Sequence, residues 1–72
     1  MPYSRWAAIH KALEALAGRW VEVEFTNPEI TLKEIHSARE SARAFVKRHM
    51  EGHKFDHLRP KERTLWLKAR KA

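Results

Sequence analysis

Arg39, Arg43 and Lys47 stand four residues apart, with His36 three residues before them. On a helix, side chains spaced three and four apart stack along one face. At ~1.5 Å of rise per residue the three cations span ~12 Å, a line that can follow successive phosphates of a nucleic-acid backbone. Arginine forks onto phosphate oxygens or guanine edges, whereas lysine offers a point charge. The plainer use of the same stripe is a solvated face, with Glu40 near enough to neutralise part of it. Arg63, Trp66 and Arg70 repeat the spacing of three and four. A Trp between arginines can stack on a base while the cations hold the backbone. A short chain needs its aromatics inside, however, so Trp66 is expected in the core with Leu58, Leu65 and Ala69. Leu67 falls outside that helical arc.

His49, His53 and His57 recur every fourth residue, with Glu51 and Asp56 between them. Paired histidines at this spacing can present ligands to zinc, but Gly52 interrupts the helix that would align them. His49 also falls on the apolar arc, where a core histidine is the simpler account, so no metal and no other cofactor is assigned. A histidine cluster could instead deepen the basic field on acidification. For catalysis there is no cysteine nucleophile, nucleophile elbow, phosphate-cradling glycine loop or paired-carboxylate motif. A ribonuclease could be assembled from His53, His57, Lys54, Arg59 and Glu51. In a chain this charged such a set arises by chance, and no catalytic residue is assigned.

The elements that must position these groups follow from periodicity. Trp6, Ile9, Leu13, Leu16 and Trp20 step by three and four, which predicts a helix over residues 4–17, with Ser4 as N-cap and Gly18 as terminator. Over Arg19–Phe25 the period changes to two, predicting a strand with Val21, Val23 and Phe25 inward. Asn27-Pro28 ends it. Thr31 as N-cap with Glu34 at N3 makes a capping box, and Ile30 and Ile35 a hydrophobic staple, so a long helix runs from Leu32 to about Met50, closed by Gly52. Leu32, Ile35, Ala38, Ala42, Phe45, Val46 and Met50 share its apolar arc. Residues 53–59 read as a loop. Pro60 suits the first turn of a last helix over about 60–70, with Lys and Arg at its end.

These elements make a mainly α, small α+β fold, ordered helix–strand–helix–helix, in one compact domain over residues 1–72. A lone strand cannot satisfy its own backbone, which predicts pairing near residues 29–31, with a partner's sheet, or across a homodimer through Arg19–Phe25.

Charge is divided unevenly. Residues 1–31 carry three basic and four acidic side chains, 3 − 4 = −1, and residues 32–72 carry twelve and five, 12 − 5 = +7, which together give the net +6. Such a field attracts polyanions. The hydrophobic fraction of 43% argues against disorder. The absence of cysteine excludes disulfides and thiolate metal sites. No apolar segment follows Met1 and none approaches the ~20 residues of a membrane span, so the cytoplasm is the expected location and no membrane partner is expected.

The expected function is a small basic regulatory module that binds nucleic acid, or associates with nucleoprotein, through His36, Arg39, Arg43, Lys47, Arg63 and Arg70. The alternative is a protein-interaction module, such as a small phage-type inhibitor docking on an acidic or nucleic-acid-binding surface of a host complex. A small ribonuclease is third. Asn27 is the only amide side chain and precedes both cationic helices, so base readout through Asn or Gln has no support.

Overall fold

The computed structural model describes residues 5–72. Two helices cover one face of a three-stranded antiparallel sheet. In chain order the elements are α1 (Ala7–Ala15), β1 (Trp20–Glu24), α2 (Leu32–His49), β2 (His53–His57) and β3 (Thr64–Lys71). The sheet order is β1-β3-β2, so the last strand lies in the middle.

The first half follows the periodicity. Ile9 and Leu13 turn the buried side of α1 inward, and Gly18 adopts a φ of +87° in the turn after it. Ser4, the expected N-cap, lies outside the described residues. In β1, Val21 is buried while Glu22 and Glu24 are exposed. The capping box of α2 is complete: Thr31 Oγ1 accepts from the Glu34 N–H at 3.2 Å, and Glu34 Oε1 accepts from the Thr31 N–H at 3.2 Å. Arg5 also donates to the Glu34 carboxylate. Ile30 packs against the core in which Ile35 is buried, as a staple requires. At the far end Gly52 takes a φ of +81° with open space around its Cβ position, so backbone conformation and not crowding favours glycine there.

The second half corrects the expected fold. The last helix over 60–70 is instead strand β3, the loop over 53–59 contains strand β2, and one strand becomes three. The physical reason is the buried layer beneath the two helices. Leu65, Leu67 and Ala69 alternate along β3 and are all fully buried, which a period of two provides and a helix would not. Leu67, left outside the helical arc, is at the centre of the core. Trp66 moves the other way. It lies on the opposite side of β3, half-buried, and Leu58 is 49% exposed.

Pairing is continuous along β3. Trp20 to Glu24 meet Lys68 to Thr64 in register, and His53 to His57 meet Lys71 to Leu67. The strand at Arg19–Phe25 therefore has its neighbour within the chain, which removes the reason for completing it from a second copy. Glu62 holds a φ of 56° in the tight turn at Lys61–Thr64 that starts β3. The core joins Ile9, Leu13, Val21, Phe25, Ile35, Ala38, Ala42, Val46 and Met50 to the three buried β3 residues, with no polar or charged side chain buried among the described residues. Ala38 and Ala42 are small enough to let α2 lie close on the sheet.

Candidate polyanion-binding cleft

The inward face of α2 follows Ile35, Ala38, Ala42 and Val46. One flank of that face then looks toward β2, and this flank carries Arg39, Arg43 and Lys47. Beyond Met50 the chain reverses at Glu51-Gly52 and returns as β2, setting His53, Lys54 and Phe55 beside the same flank. Between them is an open cleft of about 370 Å³. Val46, Met50 and Phe55 supply its apolar surface and Arg43 and Lys47 its cationic rim, with His53 and Lys54 bordering it from β2 and Glu51 the one acid.

Arg43 is the most constrained of these groups. Its Cζ lies 5.2 Å from the Phe55 ring centroid, Nε donates to Glu40 Oε1 at 3.2 Å, and Nη2 contacts His57 Nε2 at 3.3 Å. A guanidinium has only donors, so His57 Nε2 accepts and the ring proton resides on Nδ1. That Nδ1 is buried without a hydrogen-bond partner. His53 contacts the Glu51 carbonyl through Nδ1 at 3.2 Å. The carbonyl can only accept, so Nδ1 donates and Nε2 is the remaining polar atom of the ring.

Arg39 Nε donates to Glu40 Oε2 at 3.0 Å, so one carboxylate takes both arginines of the stripe. Arg39 and then Arg43 hold the Glu40 carboxyl below its ordinary pKa. Both pairs are exposed, so solvent and salt screen them.

The expected site residues separate into two groups. Arg43 and Lys47 line the cleft. Arg70 stands next to it in the sheet, directly opposite Lys54, with Lys71 opposite His53. Arg70 Nε donates to Asp56 Oδ2 at 2.7 Å, which lowers the Asp56 pKa and raises that of Arg70. Arg39 lies one turn back along α2 and His36 further still. Arg63 is at the other end of β3, its carbonyl accepting from the Phe25 N–H at 2.9 Å. Seven strand residues place Arg63 ~23 Å from Arg70, against ~10 Å in the expected helix. Phe55 and Lys71 are neighbours of the cleft that sequence reasoning missed, and His53 and Lys54 were singled out there only for a metal site or a ribonuclease. The chain reversal at Gly52 was the available signal for His53, Lys54 and Phe55.

The histidines disperse. His10 stacks on Phe45 at 4.6 Å and 11°, with His49 5.2 Å from the same ring, in a second cleft between α1 and α2 that also holds Ser41 and Arg48. Burial, and then His49, lower the His10 pKa below 6.5, partly offset by Ser41. His53 and His57 are on β2. Among the described residues no three His, Cys, Asp or Glu side chains are grouped to hold a metal ion. None of the described helices is long and apolar enough to cross a membrane.

Fold and cleft define a small basic α+β domain with a cationic groove between its long helix and an edge strand. Compared with protein-family models, curated proteins and solved structures, the chain has no match in any of the three.

Proposed function

We propose that this domain is a nucleic-acid-binding regulatory module that holds a phosphate backbone in the cleft between α2 and β2. The observation that carries this is the convergence of Arg43 and Lys47 from α2 with His53 and Phe55 from β2 around one open groove. Arg43 rests on Phe55, which holds its guanidinium at the groove, while Lys47 adds a point charge that releases counterions on binding. Lys71, opposite His53 on the neighbouring strand, extends the positive field.

The site acts by binding and not by catalysis. His53 and His57, the acid–base pair of a ribonuclease reading, are four residues apart on one strand, ~13 Å along its axis, and His57 is engaged with Arg43. A chain without cysteine suits a reducing compartment, and we place the module in the cytoplasm.

Titration of labelled DNA and RNA across a salt series tests this. Two phosphate contacts, from Arg43 and Lys47, predict a slope of log affinity against log salt of about −2 on duplex DNA, and Lys47→Ala should reduce its magnitude by about one. Absence of binding at low salt would overturn the proposal and leave an acidic protein surface as the partner that fits the cleft.

A further inference from the structure

The helices cover one face of the sheet. No described residue covers the other, and its side chains follow from the register. Four rows cross it: Glu24 beside Thr64; Glu22, Trp66 and Leu58; Trp20, Lys68 and Asp56; Arg70 beside Lys54. Leu58 joins the second row because its N–H donates to the Trp66 carbonyl at 3.1 Å. Rows lie ~6.8 Å apart and strands ~4.8 Å apart.

Two properties of this face stand out. An apolar band crosses it diagonally, from Trp20 past Trp66 to Leu58, with Trp20 41% and Leu58 49% exposed. The charges divide on either side of that band. One corner carries Glu22 and Glu24, a net of −2. The other carries Lys54, Lys68 and Arg70 against Asp56, 3 − 1 = +2. A face that sums to zero is a poor platform for a polyanion. An apolar centre with complementary charged corners is what an isologous two-fold interface requires.

We infer that the open sheet face binds a second copy of this chain. Rotation by 180° about the Trp20–Leu58 diagonal lays each copy's apolar band on the other's. It carries Glu24 over the partner's Lys54, and Glu22 over the partner's Lys68 and Arg70. Trp is the residue type that most often anchors such contacts, and Lys68 already stands 5.6 Å from the Trp20 ring centroid. This surface is distinct from the strand pairing expected from sequence. It does not depend on the nucleic-acid proposal, since the groove lies on the α2 side of the sheet and Lys54 and Arg70 point away from it.

Sedimentation equilibrium on the full chain over a range of concentrations tests the inference, with circular dichroism confirming that each variant is folded. Wild type should reach twice the 8.5 kDa chain mass. Trp20→Ala should weaken association at least tenfold. Glu22→Lys and Lys68→Glu should each do the same, and the double swap should restore it. A mass that stays at one chain up to millimolar concentration overturns the inference. So does a dimer indifferent to all these variants, which uses another surface. A monomer whose Trp20→Ala form loses affinity for single-stranded oligonucleotides also overturns it, and assigns the face to unpaired bases. Salt-dependent binding that persists in a strictly monomeric protein leaves the cleft proposal standing, and a dimer without nucleic-acid affinity does the reverse.

Discussion

His10 shows how a single side chain can make stability depend on pH in this fold. Its ring is stacked on Phe45 and shares a 2.9 Å hydrogen bond with Ser41 Oγ, and burial disfavours its charged form. A histidine whose folded pKa is lowered contributes stability that is present above the unfolded value of 6.5 and is lost as pH falls through the folded value. The melting temperature should therefore decline as pH drops below 6.5, and His10→Phe, which keeps the ring stack without the titration, should flatten that part of the profile. An unchanged slope in the variant would show that other groups set it. The carboxylates act lower on the scale. Arg5 and Thr31 hold the Glu34 carboxyl below its ordinary pKa. Its contribution to the α2 cap is accordingly complete above the usual carboxylate range and disappears only in stronger acid.

The elements differ in how far the sequence declares them. Leu67 decides the assignment of β3, because it is fully buried in a strand and would be exposed in the helix that the same residues predict. Leu67→Ala should cost ~2–5 kcal/mol, measured by urea unfolding, against ~0.5 kcal/mol or less for an exposed position. Helix α2 was legible almost to the residue because its signals are local: Thr31 and Glu34 cap it, Ile30 and Ile35 fix its entry, and Gly52 ends the turn after it. Strand β3 was not legible because its residues satisfy two periods at once. Leu, Lys, Ala and Arg are good helix formers, Pro60 imitates a helix start, and Arg63, Trp66 and Arg70 keep helical spacing. What selects the strand is remote. β1 needs a neighbour, and the helices need an alternating apolar layer, and Thr64–Lys71 meets both demands. The cleft was half legible for the same reason. Arg43 and Lys47 are helical neighbours, but the opposing wall depends on the pairing of His53 and Lys54 with Lys71 and Arg70.

At the scale of the whole molecule, β1 and β2 never touch as strands, because β3 lies between them and pairs with both. A chain ended at residue 63 keeps α1, β1, α2 and β2 but loses Leu65, Leu67 and Ala69 from the core. It should show no cooperative thermal transition by circular dichroism or calorimetry, and a sharp melt in that fragment would disprove the central role of β3. The sheet order also bears on biosynthesis. Translation delivers the middle of the sheet last, so the ribosome releases every flanking piece before the piece that joins them exists. Neither the ladder with β1 nor the ladder with β2 can form before residues 64–71 have emerged, because both are built on that one template.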